Sequence, residues 1–202
     1  MRTKGPYKAR HLFFDSIFTP VFENYKRKLA EHIVKFCDDD SKILDVGCDD
    51  GSVAKMMMDI NPSLKIIGID IQANRKSKIP RKIYDGKKIP YPKNSFDIVM
   101  ALDVLHHTKD IFAVLNEMRQ VSKRCVLIKD NFSHSPISKF LLGVGDWIGN
   151  VPLGIPCSFN YPTPKEWKTH FKKAGLKIMK QDLSFDVFIS GKYQPTFKLE
   201  KK

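Results

Sequence analysis

Short apolar segments with strand character alternate with segments of helical periodicity over most of this chain. The segments with strand character are Lys42–Val46, Leu64–Ile69, Arg81–Tyr84, Phe96–Leu102 and Cys125–Ile128. Parallel strands need a crossover helix between them, whereas antiparallel strands can follow each other through a short turn. The alternation therefore predicts an α/β fold in which helices cover both faces of a doubly wound, mostly parallel sheet.

The C-terminal part of the chain departs from this alternation. Leu176–Met179 and Phe185–Ile189 are separated by too few residues for a crossover helix, so they predict an antiparallel hairpin at the edge of the sheet. A helix is predicted before this hairpin because Thr163-Pro164 is typical of a helix cap and a first helical position, and Gly175 of a helix stop.

The length of 202 residues predicts a single domain over residues 1–202. Apolar residues at helical spacing between Phe22 and Phe36 predict an N-terminal helical region, residues 1–36. Residues 131–162 form a long connection, rich in Gly and Pro, that leaves the edge where open α/β sheets bind ligands. This position predicts a substrate-side lid insertion.

Lys and Arg outnumber Asp and Glu by 35 to 22, which gives a formal net charge of +13. The excess is concentrated in residues 75–93, where Asp85 is the one acid. Such a surface can attract an acidic membrane, RNA or an anionic substrate, or it can simply be solvated. No apolar run approaches the ~18 residues that a membrane span needs. We therefore expect a cytoplasmic protein, with peripheral membrane contact as an option.

The first strand ends in an acid and enters a glycine turn, Asp45-Val-Gly47-Cys48-Asp49-Asp50-Gly51. A dinucleotide-binding turn that starts at Gly47 would have further glycines at the positions of Asp49 and Ser52. The three carboxylates of this turn would repel a pyrophosphate, but they suit a ligand that carries positive groups and no phosphate. S-adenosylmethionine (SAM) is such a ligand. The alternative is a structural turn with solvated acids.

Further acids follow the next strands. Asp70 closes the second strand, twenty-three residues after Gly47, where a carboxylate can accept hydrogen bonds from both hydroxyls of a ribose. Asp85-Gly86 follows the third strand, where an acid can accept a hydrogen bond from an adenine amino group. The fourth strand leads into Asp103-Val-Leu-His106-His107.

This ordered set of motifs resembles the class I SAM-dependent methyltransferases, over about residues 25–190. Within that family the chain is similar to the type 11 branch, which methylates small molecules and includes quinone methyltransferases. The resemblance implies a Rossmann-like sheet of seven strands whose last strand is antiparallel. It also implies SAM as the cofactor and S-adenosylhomocysteine as its product.

The resemblance further implies which residues hold the cofactor. Asp45 and the Gly47–Gly51 turn would hold the methionine end, Asp70 the ribose and Asp85 the adenine, while the backbone of Leu102 and Asp103 would line the sulfonium side. The implied set is Asp45, Gly47, Cys48, Asp49, Gly51, Asp70, Ile71, Asp85, Gly86, Leu102 and Asp103. The family usually has glycine where this chain has Asp49. That residue either weakens binding or contacts the ammonium group directly.

Methyl transfer needs a general base only when the acceptor arrives protonated. The candidates are His107 and Asp103, with His106 beside them, although His107 could equally make a helix-start contact. The candidate substrate-binding residues are Asp130, Asp146, Trp147, Asn150 and Tyr161. We expect Trp147 and its apolar neighbours to wall an apolar acceptor site. The alternative is a helical cap with its own small core.

The predicted function is methyl transfer from SAM to a small-molecule or lipid-like acceptor. No metal is predicted, because the four cysteines are far apart and no C-x-x-C pair occurs. Two other functions stay open. One is RNA methylation, although Leu102–Leu105 lacks the Asn/Asp-Pro-Pro-Tyr/Phe motif of amine-directed enzymes. The other is a non-catalytic binding module, and Asp49 is the only residue that supports it.

Overall fold

A computed structural model describes residues 7–72, 76–150, 158–185 and 194–202. The helices are α1 (Tyr7–Val34), α2 (Ser52–Ile60), α3 (Ile111–Val121), α4 (Pro136–Asn150) and α5 (Pro164–Lys173). The strands are β1 (Lys42–Val46), β2 (Lys65–Asp70), β3 (Arg81–Ile83), β4 (Phe96–Leu102), β5 (Ser122–Lys129), β6 (Leu176–Asp182) and β7 (Thr196–Lys201). The strands form one seven-stranded sheet in the order β3-β2-β1-β4-β5-β7-β6.

Strands β1 to β5 are parallel, and β7 runs antiparallel to both of its neighbours, β5 and β6. This arrangement confirms the predicted fold class. The strand order reverses between β1 and β4, the adjacent central strands from which the chain winds in opposite directions. Ligands of open α/β sheets bind at this switch point, beyond the carboxyl ends of the strands.

The two faces of the sheet carry separate cores, which explains why the strands read as nearly continuous apolar runs. Leu44 and Val46 of β1 pack on the face covered by α3 and α5. Ile43, from the same strand, packs on the face covered by α1 and α2. All three side chains are fully buried. Burial of one such side chain contributes about 1.5–3 kcal/mol relative to exposure.

Strand β6 pairs with Thr196–Lys201, a strand that the sequence analysis did not predict. The predicted hairpin of β6 with Phe185–Ile189 stays a prediction. Phe185 is buried against the rings of Tyr25 and His32 on α1, and residues 186–190 lie outside the described residues. Strand β7 takes the place between β5 and β6 because its alternating Phe197 and Leu199 fill the core.

Helix α5 begins and ends as the sequence predicts. The Thr163 hydroxyl accepts a hydrogen bond from the backbone N–H of Glu166 at 3.3 Å, and the Thr163 N–H donates to the Glu166 carboxylate at 2.7 Å. Gly175, just after the helix, has a φ of +66°, which favours glycine. Among the described residues, no helix combines the length and apolar character that a membrane crossing requires.

Candidate active site at the carboxyl edge of the sheet

The glycine turn lies where β1 ends, next to the turn that follows β4. Gly47 has a φ of +76°, and a Cβ added there would lie 2.6 Å from a methyl carbon of Val104. Gly51 has a φ of +73°, and its added Cβ would lie 2.6 Å from Ile79 Cγ1. Both positions therefore need glycine for conformation and for space.

Asp49, the departure from the family pattern, keeps a glycine-like backbone with a φ of +47°. Its N–H donates to the Asp70 carboxylate at 2.8 Å, and its carbonyl accepts a hydrogen bond from Arg81 Nη1 at 2.6 Å. Asp tolerates this conformation better than most residues, at a cost of about 1 kcal/mol. The substitution therefore preserves the shape of the turn.

Asp50 has a local structural role. Its two carboxylate oxygens accept hydrogen bonds from the N–H and the hydroxyl of Ser52, at 3.0 and 2.7 Å. Burial raises the pKa of Asp50, but these hydrogen bonds and nearby lysines outweigh burial and hold it below its usual value. Lys78 also donates to the Ser52 hydroxyl at 2.8 Å. Two cations of the basic segment, Lys78 and Arg81, thus bind the glycine turn.

Asp45 and Asp70 are the buried acids at the ends of β1 and β2. Burial, and next the charge of Asp70, raise the pKa of Asp45 to about 7. Each oxygen of Asp70 accepts one backbone hydrogen bond at 2.8 Å, from Asp49 and from Gln72. A carboxylate offers about four acceptor sites, so Asp70 retains capacity for ribose hydroxyls.

The residues next to Asp70 at this edge, Ile71, Asp85 and Gly86, belong to the implied cofactor set, in which Asp85 would hold the adenine. Ile71, which follows Asp70 directly, is 53% exposed and offers an apolar surface at this edge. Gly86 has a φ of +74°, and an added Cβ would lie 3.1 Å from Ile71. The Asp85 carboxylate accepts from the N–H groups of Lys87 and Lys88, which keep its pKa below the usual value.

The remaining implied cofactor residues line the floor of this edge. Cys48 is buried, and its sulfur occupies the space in which a Cβ on Gly68 would lie, at 2.3 Å. Burial raises the pKa of this thiol far above its usual value. Leu102 is partly buried and closes β4. Acids around an exposed apolar residue, Ile71, suit a nucleoside that carries cationic groups. The side chains at this edge therefore fit SAM.

Asp103 is bound to a buried lysine, which the sequence analysis did not identify. Lys129 has no exposed surface, and its Nζ lies 2.6 and 2.9 Å from the two Asp103 carboxylate oxygens. The Tyr25 hydroxyl, from α1, accepts from Lys129 at 2.6 Å and donates to Asp103. Burial and the charge of Asp103 raise the pKa of Tyr25 well above its usual value. The acid predicted as a catalytic candidate thus anchors α1 to the sheet.

His106 is the centre of a buried polar chain, here called the His106 network, which consists of Asp130, His106, Asp146 and Tyr161. His106 Nδ1 lies 2.6 Å from Asp130 Oδ1, and its Nε2 lies 3.2 Å from Asp146 Oδ2. The Tyr161 hydroxyl donates to the same oxygen of Asp146. Asp130 has no exposed surface and also accepts from the backbone N–H groups of Leu105 and Asn131. It can therefore act on a substrate only through His106.

The two carboxylates decide the charge of His106. Burial by itself would lower the pKa of this imidazole, but Asp130 and Asp146 raise it to about 10. Burial would raise the pKa values of both aspartates, and the imidazolium lowers them. His106 is therefore protonated near neutral pH and is not available as a base. The partly buried His107 lies beside it, with ring centroids 4.0 Å apart.

Helix α4, in the predicted lid insertion, presents an apolar face to solvent. This face and Phe159 form a groove, here called the α4 groove, lined by Pro136, Lys139, Phe140, Gly143, Val144, Trp147 and Phe159. Trp147 is 58% exposed. An added Cβ on Gly143 would lie 3.1 Å from the ring of Phe159 and 3.9 Å from that of Tyr161. The groove therefore adjoins the His106 network through Tyr161.

The structure brings most predicted site residues to one edge of the sheet. The Asn150 side chain lies outside the described part of the chain. Sequence reasoning missed Lys129 and Tyr25, and it named His106 only beside His107. The available indication was a lysine that ends the apolar strand β5, directly before Asp130. A charged residue in that position needs a partner, although the sequence does not say which one.

Comparisons with known proteins agree on one family. The model of a methyltransferase domain matches residues 21–181. A tRNA U34 carboxymethyltransferase of Nautilia profundicola is 30% identical over 129 residues, 57% of this chain and 40% of its own length. The ubiquinone/menaquinone biosynthesis C-methyltransferase UbiE of Burkholderia cenocepacia is 26% identical over 166 residues, 69% of this chain and 68% of its own length. The chain thus spans less than half the length of the tRNA-modifying relative.

A solved structure shares the fold over the full length of both chains. It is a complex between the Haloferax volcanii Trm112 methyltransferase activator and a methyltransferase, with a TM-score of 0.68, 13% identity and 100% of each chain covered. At this identity the likeness concerns the fold alone.

Proposed function

Since this chain belongs to the class I SAM-dependent methyltransferases, we propose that it transfers a methyl group from SAM to an apolar small-molecule or lipid-like acceptor. The enzyme class and the cofactor follow from the family. The acceptor class is our proposal, and the observation that carries it is the α4 groove, which adjoins the His106 network at the carboxyl edge of the sheet.

We assign the cofactor to the acids and the glycine turn at the ends of β1, β2 and β4. Asp45 and the Gly47–Gly51 turn would hold the methionine end, Asp70 the ribose, and Asp85 with Ile71 the adenine. SAM supplies a methyl group already activated by its sulfonium, so the protein's main contributions are alignment and the exclusion of water. The link between Asp103, Lys129 and Tyr25 serves this purpose, because it holds α1 against the turn after β4.

The acceptor would lie between Trp147 and the His106 network. An apolar body can bury surface against Phe140, Val144 and Trp147, which are spaced along one face of α4. A polar group at its end would meet Asp146 or His107. His107 is the better candidate for a base, because His106 is protonated and Asp103 is paired with Lys129.

The affinity for SAM is expected to rise about tenfold between pH 6 and pH 8. A cationic ligand prefers the ionised form of Asp45, whose pKa of about 7 places that ionisation within this interval. The stability of the free protein changes with pH in the opposite direction. Because folding raises the pKa of Asp45, the protonated form of this residue stabilises the fold fully below pH 4, and this contribution is lost as the pH rises through 7. Isothermal titration across this range measures both the affinity and its slope.

Asp45→Asn is the matched variant for this pH dependence. It should bind SAM more weakly and show a flat pH profile, whereas Asp59→Asn, an exposed acid at the end of α2, should keep the wild-type slope. A steep profile in the Asp45 variant would mean that another group titrates.

The acceptor is tested by incubating the enzyme with methyl-labelled SAM and a cell extract divided into lipids, small polar metabolites, RNA and protein. We expect label in the lipid or organic-soluble fraction. Trp147→Ala should raise KM for that acceptor about 10–100-fold, since an aromatic contact contributes about 1.5–3 kcal/mol. Ile60→Ala, which changes an exposed apolar residue on α2, is the control. Label confined to polar metabolites or protein would refute the acceptor class.

RNA methylation is the second candidate. It is supported by the similarity to a tRNA U34 carboxymethyltransferase and by exposed lysines around β3, among them Lys76, Lys82, Lys87 and Lys88. Label in the RNA fraction, together with RNA binding that weakens steeply with salt, would favour this candidate over the first.

A further inference from the structure

We infer that His106, His107 and Asp146 form a binding site for a divalent first-row transition metal ion beside the α4 groove. One ligand atom from each of these residues lies within 4.8 Å of the other two, and no other such group is found among the described residues. Two imidazoles and one carboxylate on a single side of an ion are a known arrangement that leaves positions open for further ligands. With an ion bound, His107 would be a metal ligand and not the base of the proposed methyl transfer, but the site does not depend on which acceptor is methylated.

The distance between two of the ligand atoms equals the separation expected for two ligands of the same metal ion. His106 Nε2 and Asp146 Oδ2 lie 3.2 Å apart. Two ligands that each lie ~2.1 Å from one ion, at an angle between octahedral and tetrahedral, are ~3.0–3.4 Å apart. The ion would replace the proton that these two atoms share, and this proton would pass to the buffer.

Asp130 occupies the position of an outer carboxylate. It lies 2.6 Å from His106 Nδ1 and is itself fixed by the backbone N–H groups of Leu105 and Asn131. A carboxylate in this position fixes which imidazole nitrogen carries the proton and directs the other nitrogen toward a metal. Tyr161 in turn orients Asp146. Two of the three ligands, His106 and Asp146, are thus held before any ion binds.

Charge and donor type indicate the class of ion. Asp130 and Asp146 bring two negative charges to a buried place, and a doubly charged ion with a neutral His106 would balance them. Imidazole ligands suit zinc, iron, cobalt or nickel, whereas magnesium and calcium prefer oxygen ligands.

The test is titration of the full chain, without a polyhistidine tag and without SAM, with Co²⁺ and Zn²⁺. We expect one equivalent of Co²⁺ to bind, with the visible absorption of a four- or five-coordinate ion, and Zn²⁺ to displace it. His107→Ala and Asp146→Ala should each weaken binding at least 30-fold. His134→Ala, which removes an exposed histidine just before α4, should bind as the wild type does.

Every outcome decides the inference. Absence of stoichiometric binding at micromolar concentration overturns it, and so does binding that neither site variant weakens. If Asp146→Ala fails to fold by circular dichroism, Asp146→Asn replaces it, since it keeps the shape of the side chain and removes the charge. Because the titration contains no SAM, its failure leaves the methyltransferase proposal untouched.

Discussion

Gly47→Ala should raise the dissociation constant of SAM at least 100-fold, which corresponds to about 2.8 kcal/mol. The added methyl group would lie 2.6 and 2.7 Å from the two methyl carbons of Val104, and the backbone at Gly47 has a φ of +76°. The turn would have to shift, and with it the backbone groups that we assign to the methionine end of the cofactor. Isothermal titration of the purified variant measures this change.

Two further variants separate the causes. Gly145→Ala adds the same methyl group on α4, where nothing lies within 4 Å, so SAM affinity should stay unchanged. In the double variant Gly47→Ala, Val104→Ala the two close methyl contacts disappear, and part of the affinity should return. The strain of the positive φ persists, so the recovery should be incomplete. Wild-type affinity in folded Gly47→Ala would remove the turn from the cofactor site.

Asp130→Asn should lower the free energy of unfolding by about 3–5 kcal/mol at neutral pH. The carboxylate of Asp130 is fully buried, pairs with the His106 imidazolium and accepts two backbone hydrogen bonds. Removal of its charge leaves a buried cation with only Asp146 as a partner. Urea denaturation followed by circular dichroism measures the loss. Asp59→Asn, in the exposed pair with Lys55, should change stability by less than about 1 kcal/mol.

The pH dependence provides a second readout of the same pair. Folding raises the pKa of His106 from 6.5 to about 10, so its stabilisation is complete below pH 6.5 and is lost as the pH rises through 10. The wild type should lose several kcal/mol across this interval, and Asp130→Asn should lose distinctly less. Two results would contradict the assignment of the pair: equal pH slopes in both proteins, or a destabilisation by Asp130→Asn of less than about 1 kcal/mol at neutral pH.

The local features of the site were largely predictable. Strands β1 and β4 begin and end where the apolar pattern predicts, and the Thr163 cap and Gly175 stop bound α5. Acids at the ends of β1 and β2, together with two glycines in one turn, favour a cationic nucleoside ligand, and the resemblance to the methyltransferase family implies that this ligand is SAM. These inferences hold because strand periodicity, caps and turn glycines depend on neighbouring residues.

The pairing of distant residues was not predictable in the same way. Whether Lys129 is solvated or buried depends on α1 folding back to bring Tyr25 to it, 104 residues away in sequence. The His106 network joins the turn after β4 to α4 and to Tyr161, and the α4 groove exists only because Phe159 returns to that helix.

The order of strands and helices, the glycine turn and the acids at the carboxyl edge were all predictable from the chain, because each depends on a few consecutive residues. The pairing of β6, the two carboxylates that keep His106 protonated and the apolar face that stays exposed became visible only in the folded chain. These features differ from the first set because burial and charge pairing depend on distances in space. The order of strands in the sheet sets those distances, and spacing along the chain does not.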